Sequence, residues 1–297
     1  MVVVMWSAGS ESSMKPKLGI IQSRGLGDIV IALPIADYYV QQGYSVFWPI
    51  CQEFVSHFET VAPQITWIPV VTDAVGHFFY DQPRLLLDQA GVEEHNILYL
   101  YQYLSSRPDL TDPELFNILK FDQYKYWVAE VPFAHKWRLG SCITRNLDRE
   151  QALSASLNLA EPYSVVHLSG SNFRANVDLS WLSGTVVDID QHHTSCLFDW
   201  IGVLSGAESV VMVDSVFANL VDSLMMSIPN KYWIRRSPWD LTPVLGGSWT
   251  VVPTSLPIVE TRRVDVTAAA RGLGSQNPTV AKPGWPTSYM SAIKQQR

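Results

Sequence analysis

A short apolar segment followed by a glycine loop constrains the fold of this chain more than any other feature. The segment Leu18–Gln22 is typical of a buried strand, and the sequence Ser-Arg-Gly-Leu-Gly follows directly at 23–27. Asp28 then stands where the N-cap of a helix is expected, and Gly43 marks the expected end of that helix. This order of strand, tight loop and helix is typical of α/β proteins with parallel sheets.

Two series of such elements occur along the chain. The first continues with a strand at 44–48, a helix at 52–61 and a strand at 65–71. The elements of the second series are strands at 163–168, 185–189 and 209–213 and helices at 195–205 and 216–226. We therefore predict an α/β chain with two facing Rossmann-like domains, each built on a parallel sheet.

The length of 297 residues fits two domains of about 100–150 residues each. We place a flexible N-terminus at 1–14, the two domains at 15–155 and 156–258, and a basic tail at 259–297 that is able to cross back. The aromatic runs of residues 72–143 are predicted to serve packing, and this middle region suggests no function of its own.

Composition narrows the class of protein. A hydrophobic content of 47% against 16% charged residues excludes global disorder. Three scattered cysteines (Cys51, Cys142 and Cys196) favour a reducing compartment over a disulfide framework. The net charge of −7 argues against a body that wraps nucleic acid. Because we find neither a signal peptide nor an apolar run of about 20 residues, we expect a soluble, cytoplasmic protein.

The glycine loop is the first candidate binding element. Gly25 and Gly27 allow backbone N–H groups to approach a ligand, although the spacing is not the G-x-G-x-x-G of dinucleotide-binding proteins. Asp28, beside Arg24 at the mouth of a cleft, is able to take a proton from a hydroxyl group. The alternative is that Asp28 only caps the helix.

Two further loops follow predicted strands of the second series. Asp214 and Ser215 lie beyond the carboxyl end of a strand, where ligands bind in open parallel sheets. The backbone N–H groups from Ser215 to Phe217 and the Ser215 hydroxyl suit a phosphate, and an ordinary helix cap is the alternative. The loop from Ser169 to Arg174 combines small residues with a guanidinium and suits a pyrophosphate.

Together these loops resemble glycosyltransferase family 9, the heptosyltransferase-like branch of the GT-B fold. Gly25–Asp28 followed by Pro34 is similar to the opening of that family, and Val210–Ser215 is similar to its second signature. Trp200, Ala207, Leu220 and Pro229 extend the second likeness. The resemblance covers residues 17–70 and 163–230. It implies a GT-B-like fold, with an acceptor-side domain at 15–155 and a nucleotide-sugar-binding domain at 156–258.

The resemblance also implies roles for individual residues. Asp28 would be the catalytic base, Asp214 the carboxylate at the donor sugar, and Ser215 a neighbour of the pyrophosphate. Arg174 stands near the position of a phosphate-binding lysine, and Thr194 or Ser195 would lie near the donor base. The full set of candidate substrate-binding residues is Arg24, Gly25, Gly27, Ser169, Gly170, Ser171, Arg174, Thr194, Ser195, Asp214, Ser215 and Asn219. Within the second signature, Val216 replaces the usual Gly and Asn219 the usual His.

A competing signal is the pair Asp188 and Asp190 at the end of an apolar run. A D-x-D sequence holds a divalent ion in metal-dependent glycosyltransferases, and His192 and His193 are adjacent. We favour the interpretation without a metal, in which these residues line a loop that faces the cleft. The prediction therefore includes no metal and no cofactor.

The predicted function is that of an inverting, metal-independent glycosyltransferase that uses a nucleotide-diphosphate sugar and a glycan or lipid-linked acceptor. One alternative acceptor is a modified base in DNA, as in viral glucosyltransferases, with phosphate contacts from the tail residues Arg262, Arg263, Arg271, Lys282, Lys294 and Arg297. Another alternative is a nucleotide-sugar-binding module without activity. An NAD-dependent oxidoreductase is disfavoured, because the dinucleotide fingerprint is missing.

Overall fold

The computed structural model describes residues 15–73, 75–104, 106–170, 173–192, 194–235 and 243–252. The predictions for the N-terminus at 1–14, for Ser171 and His193, and for the basic tail at 259–297 lie outside the described residues. No helix within the described ranges has both the length and the apolar character needed to cross a membrane.

The first sheet is parallel and has the strand order β3-β2-β1-β4. Its strands are β1 (Lys17–Ile21), β2 (Ser45–Cys51), β3 (Thr66–Val70) and β4 (Ile97–Tyr99). The helices between Leu26 and Leu157 are α1 (Leu26–Gln41), α2 (Gln52–Phe58), α3 (Asp81–Gln89), α4 (Pro113–Ile118), α5 (Phe121–Val128), α6 (Leu139–Cys142) and α7 (Leu147–Leu157). Short 3-10 helices span His77–Phe79, Glu94–Asn96, Pro108–Leu110 and Phe133–Arg138.

The second sheet is also parallel, with the order β6-β5-β7-β8-β9. Its strands are β5 (Tyr163–His167), β6 (Thr185–Asp188), β7 (Ser209–Val213), β8 (Asn230–Ile234) and β9 (Thr250–Val252). The accompanying helices are α8 (Trp200–Ser205) and α9 (Val216–Ser223), with 3-10 helices at Ile189–Gln191 and Leu197–Asp199. Two parallel sheets with helices confirm the predicted α/β class, whereas β4, β8 and β9 were not predicted.

Helix α1 begins earlier than the sequence predicted. Its N-cap is Gly25, whose φ of 85° lies in the left-handed region, and no side chain caps the helix. Asp28 therefore lies within the first turn, and the prediction that it occupies the N-cap position is wrong. The predicted stop is confirmed, because Gly43 follows the helix with a φ of 91°.

Helix α1 lies between the two sheets and joins their cores. Its residues from Ile29 to Asp37 are buried, and the helix packs against α9 of the second half as well as against α5 and α6. One hydrophobic cluster accordingly contains side chains from both halves, such as Trp48 of β2 and Trp233 of β8. This packing sets the position of the α1 N-terminus relative to the second sheet.

A buried ionic cluster fixes the same two halves further along α9. Lys136 lies 2.9 Å from Asp122 and 3.3 Å from Asp222, and all three side chains are fully buried. Asp222 belongs to α9 and also accepts hydrogen bonds from Gly246 N and Trp249 Nε1. Because buried charges are stable only when paired, this cluster favours one arrangement of the two halves.

Candidate active site

The N-termini of α1 and α9 are in direct contact. A Cβ atom at Gly27 would lie 2.9 Å from Asn219 Nδ2 and 3.4 Å from the Cα atom of Val216. Only a glycine allows this approach without displacement. Asp28 directly follows Gly27, and Asp214 and Ser215 directly precede Val216, so two predicted motifs from distant parts of the chain lie together.

Asp28 forms an ion pair with a lysine from the middle region. Lys125 Nζ lies 2.9 Å from Asp28 Oδ1, and the lysine side chain is 3% exposed while that of Asp28 is 35% exposed. The carboxylate is therefore fixed from the protein side and remains accessible from the solvent side. Because no side chain caps α1 and Asp28 pairs with Lys125, Asp28 is not a simple helix cap.

Two carbonyl groups complete the surroundings of the Lys125 ammonium. Nζ donates to Gln22 Oε1 at 2.7 Å and to the backbone oxygen of Leu100 at 3.1 Å. Gln22 follows β1 and Leu100 follows β4. The ammonium therefore lies at the carboxyl ends of two neighbouring strands. Gln22 is itself oriented, because its Nε2 donates to the backbone oxygen of Arg24 at 2.8 Å.

The glycine loop is held by a tyrosine from the same middle region. Tyr101 Oη accepts a hydrogen bond from the backbone N–H of Arg24 at 3.0 Å and lies 3.0 Å from Ser23 Oγ. Burial raises the pKa of Tyr101 well above its usual range, so the phenol stays protonated at neutral pH. The Arg24 side chain is exposed, stacks over Phe78 and lies 3.5 Å from Glu53.

The second half contributes a chain of polar contacts that starts at Ser215. Its Oγ lies 2.8 Å from His167 Nδ1, and His167 Nε2 lies 3.2 Å from Asp190 Oδ1. Ser215 is also the N-cap of α9, with Oγ accepting from Ala218 N at 3.5 Å. The cap interpretation is thus confirmed for Ser215, and the contact with His167 is additional.

Arg174 is engaged by the two carboxylates of the D-x-D sequence. Its guanidinium pairs with Asp188 and Asp190 and donates to Ser169 Oγ at 3.1 Å. Nearby, Gly170 donates its backbone N–H to the Phe173 oxygen. A phosphate contact by Arg174 stays a prediction.

Thr194 and Ser195 lie elsewhere, close to Cys196 and Arg149. Thr194 Oγ1 donates to the Cys196 oxygen at 2.8 Å, and Ser195 Oγ accepts from Arg149 at 2.6 Å. A cavity of about 310 Å³ borders this region and is lined by Thr60, Val61, Thr144, Arg145, Asn146, Leu147, Asp148, Arg149, Cys196, Phe198 and Asp199. The structure does not bring Thr194 and Ser195 into contact with the Asp28 cluster in any described interaction.

Asp214 and Asn219 occupy different environments at the start of α9. Asp214 is half-buried directly after β7, as the sequence predicted. Asn219 is only 3% exposed, and its Nδ2 donates to the Ser215 oxygen at 3.0 Å. Asn219 therefore stabilises the Ser215 loop. Its contact with a substrate stays a prediction.

Two solved glycosyltransferase structures share this architecture. TibC, an iron-containing dodecameric glycosyltransferase from enterotoxigenic E. coli H10407, matches over 81% of this chain and 63% of its own length, with 15% identity and a TM-score of 0.50. The family 9 glycosyltransferase of Veillonella parvula DSM 2008 matches over 80% of this chain and 86% of its own, with 11% identity and a TM-score of 0.51. The chain has the fold of these glycosyltransferases. It spans less than two thirds of the length of TibC, and no protein-family model or curated protein matches its sequence.

The iron named for TibC raises the question of a metal in this chain. Among the residues that the structure describes, no group of three or more His, Cys, Asp or Glu side chains is placed to hold a metal ion. Asp188 and Asp190, the pair that the sequence suggested for a cation, bind Arg174 instead.

Sequence reasoning missed the residues that hold the predicted ones in place. Lys125 and Tyr101 belong to aromatic runs that were assigned to packing, and His167 was taken only as the end of a strand. A signal was present for Lys125, because a lysine within an aromatic run that is assigned to packing requires a partner once the run is buried. That partner, Asp28, lies far away in sequence and was not identifiable without the fold.

Proposed function

We propose that this protein is an inverting, metal-independent glycosyltransferase that moves a sugar from a nucleotide-diphosphate sugar to an acceptor hydroxyl. The contact of Gly27 with Val216 carries the proposal, because it brings the loop of Asp28 beside the loop of Asp214 and Ser215. The fold shared with two glycosyltransferases adds support. Residues 15–155 would serve the acceptor and residues 156–258 the donor.

Asp28 would act as the general base. Lys125 holds Oδ1, which leaves Oδ2 to take the proton of the acceptor hydroxyl. The acceptor oxygen then attacks the anomeric carbon on the face opposite the departing diphosphate, and the configuration at this carbon inverts. A positioned base of this kind contributes about 10²–10⁴ to a rate.

The donor would bind at the start of α9. The first backbone N–H groups of a helix carry partial positive charge and bind phosphate oxygens, and the Ser215 hydroxyl lies beside them. Asp214 would hold hydroxyl groups of the donor sugar. Because Asp188 and Asp190 are occupied by Arg174, stabilisation of the leaving diphosphate is assigned to α9 rather than to a cation.

The acceptor in this proposal is a glycan or a lipid-linked sugar, and the protein acts in the cytoplasm. The family resemblance suggests this acceptor class. A DNA acceptor would depend on the basic tail at 259–297, so deletion of residues 260–297 separates the two: DNA acceptance would be lost, whereas transfer to a glycan would persist.

The proposal is tested by thermal shift with ADP-, GDP-, UDP- and dTDP-sugars, each with and without EDTA. A true donor at a hundredfold excess over its dissociation constant stabilises the protein by about 2.7 kcal/mol. We expect stabilisation by one nucleotide class, unchanged by EDTA. Slow hydrolysis of that donor, with water in place of the acceptor, should release first the sugar of inverted anomeric configuration, as followed by NMR. If no donor stabilises the protein, the proposal is wrong, and stabilisation without hydrolysis or transfer would indicate a binding module.

A further inference from the structure

Ser215, His167 and Asp190 form a connected chain of polar contacts across three neighbouring strands. His167 ends β5, Asp190 follows β6 and Ser215 follows β7. These strands are adjacent in the sheet, so the three side chains meet at one edge. Nothing in the proposed transfer chemistry requires a histidine here.

The chemistry of the partners fixes the proton on the imidazole. Asp190 Oδ1 lies 3.2 Å from His167 Nε2 and can only accept a hydrogen, so the hydrogen of the neutral imidazole is placed on Nε2. In the neutral ring, Nδ1 then has a free electron pair and accepts the hydrogen of the Ser215 hydroxyl at 2.8 Å. In this state the Ser215 hydroxyl has no hydrogen left to donate to a ligand.

Charges around His167 decide whether the neutral ring persists. Burial lowers the pKa of His167, whereas Asp190 and Asp188 raise it and Arg174 lowers it again. Helix α9 contributes Ser215 and the edge of the Phe217 ring, whose centroid lies 4.9 Å from the imidazole. Burial has the largest effect, so the free protein holds His167 neutral at pH 7.

We propose that His167 is a positioning residue for the donor diphosphate, which takes up a proton when the diphosphate binds and thereby turns the Ser215 hydroxyl towards a phosphate oxygen. The inference rests on the proposed function. The proton comes from the solvent and is added to Nδ1. The Nδ1–H group then donates to Ser215 Oγ, and the released hydroxyl hydrogen bonds to the phosphate. Asp190 stabilises the resulting imidazolium through Nε2.

The mechanism couples affinity to pH in a defined direction. A diphosphate beside Ser215 adds negative charge and favours the protonated imidazole. Binding therefore takes up protons, and the affinity for a nucleoside diphosphate rises as the pH falls from neutrality towards the pKa of His167 in the free protein. A hydroxyl that served only as a helix cap would show no such coupling.

Titration calorimetry with ADP, GDP, UDP and dTDP tests the inference. The tightest binder is measured at pH 7 in two buffers that differ in their enthalpy of ionisation, with the wild type, His167→Asn and His135→Asn. His135 is a suitable control, because burial lowers its pKa as well but it contacts Tyr38 rather than the Ser215 chain. We expect the wild type and His135→Asn to take up about one proton more than His167→Asn.

The affinities give a second readout. His167→Asn and Ser215→Ala should each weaken diphosphate binding about tenfold to a hundredfold, as expected for a hydrogen bond to a charged group. The double variant should be no weaker than the single ones, because both remove the same interaction. Nitrogen NMR of the free protein should show the hydrogen of His167 on Nε2, and melting temperatures report whether each variant folds.

The outcomes separate the two proposals. Diphosphate binding with equal proton uptake in the wild type and His167→Asn overturns the inference and leaves the glycosyltransferase proposal standing. Failure of ADP, GDP, UDP and dTDP alike to bind the folded wild type overturns both. Proton uptake that disappears with His167 supports the inference, whatever acceptor the enzyme uses.

Discussion

Lys125 holds the carboxylate of Asp28 from inside the protein, with Nζ 2.9 Å from Oδ1. The lysine reaches this position from α5, while Asp28 lies in the first turn of α1. The carboxylate is thus oriented by a segment that the sequence assigned to packing alone. The pairing leads to a specific expectation for the lysine.

Replacement of Lys125 by methionine should slow sugar transfer about 100-fold, because the base loses its orientation and a small misplacement has an effect of this size. Lys17→Met is the matched control, since Lys17 lies at the opposite end of β1 and donates to the Ala90 oxygen. Initial rates at saturating donor check the prediction. A wild-type rate in a folded Lys125→Met variant would show that the lysine does not position Asp28.

Gly25 offers a second test of the geometry at Asp28. Its φ is 85°, and a Cβ atom would lie 2.4 Å from Asp28 Oδ2. Gly25→Ala should therefore displace the carboxylate and abolish most of the transfer activity, besides a backbone strain of about 1–2 kcal/mol.

Gly43→Ala provides the control for that strain. Gly43 has a φ of 91°, but a Cβ atom there would meet nothing within 4 Å. We expect both variants to lose similar free energy of unfolding in urea, whereas only Gly25→Ala loses activity. Equal activity of the two variants would contradict the position assigned to Asp28.

The ionic cluster of Lys136 predicts a large effect on stability. Lys136→Met leaves Asp122 and Asp222 buried without their cation, and breaking a buried pair in this way lowers the free energy of unfolding by about 3–5 kcal/mol. The exposed pair of Glu93 and His95 supplies the control, because Glu93→Gln should change stability by less than about 0.5 kcal/mol. Urea denaturation measures both, and equal effects would show that the cluster does not hold the halves together.

The contact between His57 and Leu197 predicts that stability falls at acidic pH. Its Nδ1 accepts the backbone N–H of Leu197 at 3.3 Å, which requires the unprotonated ring. Burial lowers its pKa below the ordinary value of about 6.5. The unfolded state then binds more protons than the folded state, so the contribution of His57 to stability is complete above about pH 6.5 and is lost as the pH falls towards its folded pKa.

Urea denaturation of the wild type and His57→Gln between pH 7.5 and 5 checks this behaviour. The wild type should lose stability on acidification more steeply than the variant, since glutamine does not titrate. Parallel pH profiles would show that His57 remains neutral, or equally charged, in both states.

The sequence predicted the fold wherever local pattern was strong. Strands such as β5 and β7 are continuous apolar runs that end in polar loops, and both were placed within a residue. The three-residue strands β4 and β9 are too short for a pattern, and they form only because neighbouring strands supply their hydrogen bonds.

The loops of the candidate site were predictable from the sequence, but the residues that hold those loops in place were not. Glycines and small polar residues after strands marked Gly25, Asp28 and Ser215 from local sequence alone. Lys125 acquires its role through tertiary contacts, and no spacing along the chain relates it to Asp28. The prediction that Arg174 binds phosphate is likewise local, and the pairing of its guanidinium with Asp188 depends on where β6 ends.

The proposed sugar transfer depends most directly on Asp28 as its base. The decisive measurement compares Asp28→Asn with the wild type, using the donor identified by thermal shift and recording both its affinity and the rate at which it is consumed. We predict a rate at least about 100-fold lower with donor affinity nearly unchanged. A variant that consumes the donor at close to the wild-type rate would contradict the account.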